Sequence, residues 1–191
     1  MQNVMIYLIG YPGVGKYTIA RAIAALTDAR VLDNHLVNNP IFAVLARGAE
    51  APIAPAVWPR VRQIRDLMLR SMEDLAPPEL SFVLTNVIDG DDPADVAVYE
   101  RVRAVARTRK ARFAPVLVHC AADEQARRID TPDRDERFKW TNVDDVAALT
   151  ARLRLHTPDH VNRLDLDVTS RSPAESAAAI VAHLDGCLPE Q

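Results

Sequence analysis

Three of the six glycines in this chain stand within six positions, at Gly10, Gly13 and Gly15, and Lys16 follows them directly. An apolar run at residues 4–9 comes before these glycines, and apolar residues at helical spacing come after the lysine. A strand that ends in a glycine-rich turn and opens into a helix directs several backbone N–H groups and the positive end of the helix dipole at one point. The spacing G-x-x-x-x-G-K therefore predicts a phosphate-binding loop with a mobile positive charge.

The hydroxyl-bearing residue of this motif is displaced by one position. A serine or threonine normally follows the lysine and reaches Mg²⁺, whereas here Tyr17 follows Lys16 and Thr18 comes next. Thr18 is therefore our candidate metal ligand. The alternative is an ordinary turn between a strand and a helix, but such a turn does not require a lysine at this offset. The predicted nucleotide-binding residues of the loop are Gly10, Gly13, Val14, Gly15, Lys16, Tyr17 and Thr18.

A second group of polar residues follows a short apolar segment near residue 31. Asp33 ends this segment, and Asn34 and His35 come next. Polar residues at the carboxyl end of a parallel strand face the crevice in which α/β proteins bind ligands. Asp33 also suits a turn or a helix cap, which is the commonest use of aspartate before asparagine. His35 suits an exposed loop equally well.

The elements that must position these residues alternate between strand and helix. We predict strands at residues 4–9, 30–33, 81–85, 114–120 and 163–168. We predict helices after Lys16, around residues 41–45, at 57–75, in the segment that contains 99–106, and at 122–129, 145–155 and 172–184. Such alternation indicates βαβ units and a mostly parallel, five-stranded sheet that is covered by helices on both faces. The fold class is therefore α/β, and Thr85 and Asn86 should converge with the glycine loop and Asp33 at one edge of the sheet.

Composition and charge narrow the possible functions. The chain has 191 residues, of which 49% are hydrophobic, and this fits a single domain spanning 1–191. Its net charge is −3, so no overall basic field favours nucleic acid as a partner. Only the basic residues at 107–112 could form a local patch that attracts nucleic acid. Two cysteines without a C-x-x-C motif, and no apolar run of membrane-spanning length, favour a cytoplasmic protein without a membrane partner. We expect a monomer or a homodimer.

In the order of these elements, the chain resembles the P-loop kinases of the nucleoside monophosphate kinase and shikimate kinase type over nearly its whole length. Lys16 followed by Thr18 is similar to the G-K-G-T variant of adenylate kinases, in which the threonine contacts a phosphate. The resemblance implies a three-layer α/β/α P-loop NTPase fold. It also implies a mobile lid at about 130–141, an acceptor-binding helical region at about 34–76, and ATP and Mg²⁺ as cofactors.

The resemblance further implies roles for individual residues. An aspartate at the end of the second strand binds or deprotonates the acceptor hydroxyl in small-molecule kinases of this group, and Asp33 stands at the matching place. Phosphoryl transfer requires mainly positioning and positive groups, which agrees with this role. The catalytic residues expected on this basis are Lys16, Asp33, Arg134 and Arg137, and Lys139 is a further lid residue. Arg128, Ser170 and Arg171 are expected beside the nucleotide, and Asp33, His35, Arg65 and Asn86 beside the acceptor.

The end of the third strand departs from the pattern of these kinases. A carboxylate that helps to hold Mg²⁺ should close this strand, but the strand ends in Thr85 and Asn86. Either Asn86 acts there with water, which we favour, or residues 87–89 extend the strand and bring Asp89 to its end. The sequence thus predicts an ATP-dependent kinase for a small hydroxylated or phosphorylated acceptor. An ATP-binding module or regulator without phosphoryl transfer is the alternative.

Overall fold

A parallel β-sheet forms the centre of the structure, a computed structural model that describes residues 1–45, 53–129 and 143–190. Its five strands are β1 (Val4–Ile9), β2 (Arg30–Leu32), β3 (Phe82–Asn86), β4 (Arg112–His119) and β5 (Leu164–Asp167). They are arranged in the order β2-β3-β1-β4-β5, and each pair of neighbours runs parallel. The prediction of a five-stranded sheet is confirmed, and the described strands are parallel throughout.

Helices connect the strands and cover the sheet. Those that the structure describes are α1 (Lys16–Thr27), α2 (Asn34–Val44), α3 (Val57–Asp74), α4 (Pro93–Thr108), α5 (Ala122–Ile129), α6 (Val143–Arg152) and α7 (Pro173–His183). A 3₁₀ turn at Leu184–Gly186 follows α7. None of the described helices combines the length and the apolar character that are needed to span a bilayer.

Each face of the sheet has its own core, because alternate residues of β1 point to opposite sides. Ile6 lies in the core that α1 and α7 cover, together with Ile23. Met5 lies in the core that α3 and α4 cover, together with Leu69 and Val102. Strands that are buried on both faces account for the uninterrupted apolar runs in the sequence. The molecule therefore has the three-layer α/β/α architecture that the sequence predicts.

Helix α2 is longer than the sequence predicts. It begins at Asn34, well before the expected segment at 41–45, and it contains Pro40. A proline inside a helix removes a backbone hydrogen bond, which is why the sequence pattern argues against a helix here. The helix starts at this point because Asp33 takes the N-cap position and the backbone N–H of Asn34 donates to Thr85 Oγ1 at 3.1 Å. A contact from β3 thus extends α2 towards the strand ends.

The basic run at residues 107–112 is divided between structural roles. Arg109 donates from Nη1 to the carbonyl oxygen of Met72 at 2.5 Å and from Nη2 to that of Pro77 at 2.7 Å. Arg112 begins β4, two positions before the predicted start, and donates from Nη1 to the carbonyl oxygen of Leu184 at 3.0 Å. These two guanidinium groups are therefore used to hold neighbouring segments within the fold.

Candidate functional site

The glycine loop has the backbone conformation that phosphate binding requires. Gly13 and Gly15 have φ angles of 88° and 93°, which residues with a side chain rarely adopt. Helix α1 begins at Lys16, so its first backbone N–H groups point towards the loop. Lys16 Nζ donates to the carbonyl oxygens of Gly10 and Tyr11 at 2.5 and 2.8 Å. The ammonium group thus lies over the loop, next to the N-terminus of α1.

The loop is held between the ends of two strands. The backbone N–H of Gly10 donates to the carbonyl oxygen of Asn86 at 3.3 Å. A Cβ atom at Gly10 would lie 2.4 Å from the carbonyl oxygen of Val118, which is closer than side chains come to a backbone atom. Val14 is 2% exposed and packs in the core beneath α1. The approach of β4 therefore requires glycine at position 10, and the loop lies at the carboxyl edge of the sheet.

The two hydroxyl groups after Lys16 have different surroundings. Tyr17 Oη accepts a hydrogen bond from Nη1 of Arg21, one turn along α1, at 3.4 Å. A cation beside the phenol disfavours metal binding there. Thr18 is exposed in the first turn of α1, and its Oγ1 donates to the carbonyl oxygen of Gly15 at 2.8 Å. Oxygen atoms are the ligands that Mg²⁺ prefers, and the hydroxyl of Thr18 fits such a ligand better than that of Tyr17.

Arg128 connects the glycine loop to the segment that precedes α7. Arg128 Nη1 donates to the carbonyl oxygen of Val14 at 3.1 Å, and Nη2 donates to that of Val168 at 2.8 Å. Ser170 lies two positions beyond Val168, and the exposed Arg171 follows it. These two residues, which are predicted to lie beside the nucleotide, are therefore close in sequence to the segment that Arg128 contacts. The expected position of Arg128 beside the nucleotide stays a prediction, because this geometry directs the guanidinium to backbone oxygens.

Gln125 is a loop-supporting residue that the sequence did not reveal. Its Nε2 donates to the carbonyl oxygen of Pro12 at 2.7 Å, and its side chain lies beside Gly13. A signal was present, because Gln125 lies three positions before Arg128 and therefore on the same face of α5. A polar residue at that spacing on a short helix indicates a shared neighbour, which here is the glycine loop.

Asp33 is oriented by the strand next to it. Thr85 Oγ1 donates to Asp33 Oδ1 at 2.5 Å, and the same Oγ1 accepts from the backbone N–H of Asn34. Asp33 is 7% exposed and takes the N-cap position of α2, but its side chain makes no capping bond to the helix. The backbone of Asp33 therefore takes the helix-cap position, as one of the two interpretations predicts, whereas its carboxylate points to β3.

An open cleft, which we call the acceptor cleft, lies beside this pair. It opens to solvent and encloses about 30 Å³ that a water-sized molecule can reach, and its polar lining residues are Tyr7, Asn34, Arg65, Thr85 and Asn86. Arg65 Nη2 donates to Asn34 Oδ1 at 2.7 Å. Burial lowers the pKa of Arg65 and raises the pKa of Tyr7 to about 12, because each charged form loses solvation. The structure thus brings the predicted Arg65 and Asn86 together, and adds Tyr7 and Asn34, which the sequence analysis did not select.

Three solved kinases have a similar structure. An unliganded sugar kinase from Janibacter sp. HTCC2649 matches with a TM-score of 0.64 at 17% identity, over 96% of this chain and 95% of that chain. A gluconokinase from Sinorhizobium meliloti 1021 matches with a TM-score of 0.63 at 16% identity, over 96% and 92%. The APS kinase of Mycobacterium tuberculosis, solved with AMPPNP and APS, matches with a TM-score of 0.57 at 17% identity, over 97% and 99%.

These similarities in structure decide the fold. The chain has the fold of these three proteins, a three-layer α/β/α P-loop fold. No protein-family model matches the sequence, and no curated protein matches it. The three-layer α/β/α P-loop NTPase fold, which the sequence resemblance implied, is therefore confirmed by the course of the backbone over nearly the whole chain.

Within this fold, the third strand ends without a carboxylate. β3 ends at Asn86, while Asp89 forms an isolated antiparallel bridge with Leu155. The backbone N–H of Asp89 donates to Asp95 Oδ2 at 3.0 Å. The alternative in which residues 87–89 extend the strand is therefore wrong. Among the described residues, no group of three or more His, Cys, Asp or Glu side chains could hold a metal.

The other residues that the sequence analysis selected lie outside the acceptor cleft or outside the described part of the chain. His35 is partly buried in the first turn of α2, but the neighbouring Asn34, not His35, lines the acceptor cleft. Arg134, Arg137 and Lys139, together with the predicted lid at about 130–141, lie outside the described residues. Their roles stay predictions.

Proposed function

We propose that this protein is an ATP-dependent phosphotransferase that acts on a small hydroxylated or phosphorylated acceptor. One observation carries the proposal. The glycine loop with Lys16 follows β1, Asp33 follows β2, and its partner Thr85 lies near the end of β3, at the same edge of the sheet and beside an open cleft. The loop that would bind a nucleoside triphosphate thus lies next to the cleft that would bind a hydroxyl compound.

The chemistry of phosphoryl transfer agrees with these residues. The transfer requires little covalent chemistry from the protein, so positioning and neutralisation of charge provide most of the catalysis. Lys16 and the N–H groups of the loop would bind the β- and γ-phosphates, and Asp33 would orient or deprotonate the acceptor hydroxyl. Arg134 and Arg137 would neutralise the phosphoryl group during transfer.

The nucleotide side of the proposal uses Thr18 and the segment around Arg128. Thr18 would contact a phosphate or Mg²⁺, and Ser170 and Arg171 would lie at the edge of the base. Mg²⁺, when bound, would neutralise part of the charge of the phosphates. ATP is the nucleotide we propose, and the APS kinase with a similar fold was solved with the ATP analogue AMPPNP.

The names of the similar structures favour polyhydroxylated acceptors. A sugar kinase and a gluconokinase share this fold over more than nine-tenths of both chains, although their sequences are at most 17% identical to this one.

A second function, nucleotide binding without transfer, is favoured by two features. Asn86 stands where a carboxylate is expected, and Tyr17 stands where a small hydroxyl residue is expected.

Thermal unfolding with and without ATP tests the nucleotide site. ATP at about 100 times its dissociation constant should stabilise the protein by roughly 2.7 kcal/mol, or by about 5–10 °C in the unfolding midpoint at this chain length. Lys16→Ala should abolish this shift. Arg30→Ala is the control, because it removes an exposed cation at the start of β2, at the edge of the sheet opposite the loop, and it should retain the shift.

Phosphoryl transfer then separates the two functions. Formation of ADP in the presence of a panel of sugars and sugar acids, lost in Lys16→Ala, would support the kinase. An ATP-dependent shift without transfer to any acceptor, even with Mg²⁺ present, would support the binding module. Absence of any shift with ATP or GTP would contradict both.

A further inference from the structure

Tyr7 is a buried polar residue that the proposed chemistry does not use. It lies in β1 with 2% of its surface exposed, within an otherwise apolar strand. It also lines the acceptor cleft, and its phenol interacts electrostatically with Arg65. A hydroxyl group at the wall of a binding cleft can select a ligand, provided that its proton is not already donated within the protein.

The hydrogen bonds of Asn86 determine how this hydroxyl can donate. Asn86 Oδ1 accepts from the backbone N–H of Val87 at 2.9 Å, and a backbone N–H can only donate. The amide nitrogen must therefore face the other way, where Asn86 Nδ2 donates to Tyr7 Oη at 3.1 Å. The phenol oxygen is the acceptor in that bond, so its own proton is left for a second partner. Among the described residues, no second hydrogen-bond partner accepts this proton.

Arg65 supplies a second donor in the same cleft. One of its N–H groups donates to Asn34 Oδ1, and the planar guanidinium carries several more. Among the described residues, this guanidinium forms no ion pair within 4.0 Å, and Asp95, which acts on it electrostatically, lies farther away. The phenol of Tyr7 is protonated at neutral pH, and burial raises its pKa further, from 10.0 to about 12. The cleft therefore presents a neutral donor beside a partly desolvated cation.

We propose that Tyr7 is an acceptor-binding residue, and that Tyr7 Oη and Arg65 together bind a negatively charged group of the acceptor. This inference rests on the proposed function, and it narrows the acceptor to a hydroxylated small molecule that carries a carboxylate or a phosphate. Thr85 lines the same cleft and bonds to Asp33, so the reacting hydroxyl would lie at that side. A neutral polyol would give Arg65 no counter-charge and should bind more weakly.

Calorimetric titration of the purified protein tests this inference without any turnover. The probes are D-gluconate, glucose 6-phosphate and glucose. We expect the wild type to bind one of the two anions about tenfold or more tightly than glucose, as a charged hydrogen-bond pair predicts. Tighter binding of gluconate assigns a carboxylate, and tighter binding of glucose 6-phosphate assigns a phosphate. Lys16→Ala, titrated in parallel, detects any phosphate that binds at the glycine loop instead.

Tyr7→Phe isolates the contribution of the hydroxyl group. It keeps the ring that stacks on Tyr99 at a centroid distance of 6.1 Å, and removes only the donor. We expect it to bind the preferred anion about tenfold more weakly and to leave glucose binding unchanged. Tyr99→Phe is the matched control, because Tyr99 is equally buried but does not line the acceptor cleft. It should bind all three probes like the wild type.

Arg65→Gln provides a second test that does not depend on Tyr7. It should weaken anion binding at least as much, whereas Arg62→Gln, which changes an exposed arginine of the same helix, should not. The inference is overturned if the wild type prefers neither anion over glucose, or if Tyr7→Phe and Arg65→Gln bind the anion normally. Retained anion selectivity in a protein that ATP does not stabilise would reject the kinase proposal and keep the role of Tyr7.

Discussion

Thr85 Oγ1 donates a 2.5 Å hydrogen bond to Asp33 Oδ1, and this bond joins the carboxyl ends of β3 and β2. The same hydroxyl accepts from the backbone N–H of Asn34 at 3.1 Å, so one side chain orients a carboxylate and also fixes the first turn of α2. Thr85 is 4% and Asp33 7% exposed, so little water competes for the bond. The carboxylate is thus positioned by the fold before any ligand binds, as an efficient catalytic group requires.

Asp33→Asn tests whether this carboxylate acts on the acceptor. The amide oxygen of asparagine can still accept from Thr85, so the fold and the ATP-dependent shift in unfolding midpoint should persist. Loss of a general base or positioning group should lower kcat by about 100-fold or more. Steady-state kinetics with the acceptor identified in the transfer screen measure this change. The control is Asp28→Asn, at a left-handed position with φ 60° that asparagine tolerates; full activity in Asp33→Asn would contradict the assignment.

Gly10→Ala tests the close approach of β4 to the loop. The added Cβ would lie 2.4 Å from the carbonyl oxygen of Val118, so backbone must move. We expect the free energy of unfolding to fall by about 2–3 kcal/mol and ATP binding to weaken, because the loop shifts with its first residue. Urea denaturation measures the first effect. Gly186→Ala meets no atom within 4 Å and should leave stability nearly unchanged; equal stability of the two variants would reject the steric argument.

Arg128→Met tests the connection between the glycine loop and β5. Its guanidinium donates to the carbonyl oxygens of Val14 and Val168, so its loss should loosen the loop and weaken ATP binding by about tenfold. Titration with ATP measures the affinity. Arg127→Met is the matched control, because Arg127 is exposed and pairs with Glu124 on the surface of α5. Exposed pairs of this kind contribute little, so ATP affinity should not change there.

Glu190 makes the stability of the fold depend on pH. Burial raises the pKa of this carboxyl, but hydrogen bonds from His160 Nε2 at 2.7 Å and Arg103 Nε at 2.6 Å lower it by more, so the net pKa is below its ordinary value of 4.5. A carboxylate with a lowered folded-state pKa stabilises the protein above the unfolded pKa, and this contribution is lost as the pH falls through the folded value.

Glu190→Gln should therefore lower the free energy of unfolding by about 2 kcal/mol at pH 7, and the difference from the wild type should shrink as the pH falls below about 4.5. Urea denaturation at a series of pH values measures this. The exposed Glu100 gives the control variant Glu100→Gln, which should follow the wild type. A difference that is constant from pH 7 to acid would show that the charge of Glu190 does not stabilise the fold.

The fold could be predicted well from the sequence because its signals are local. Strands buried on both faces produce apolar runs, and the glycines with Lys16 mark the first turn between strand and helix. The start of α2 could not be predicted, because Pro40 argues against a helix while the bond that fixes its first turn comes from Thr85, which lies 51 positions beyond Asn34 in the chain. Local propensity and tertiary contact conflict there, and the contact prevails.

The candidate site likewise combines features that the sequence predicts with features that it does not. The sequence alone determined the glycine loop, Lys16 and the class of fold, because a motif of short spacing specifies its own backbone geometry. Only the tertiary structure decided that Tyr7 lines a cleft beside Arg65, and that Asp33 is oriented by Thr85. Those relationships join residues from different strands and helices, and the parallel order β2-β3-β1 is what brings them to one edge of the sheet.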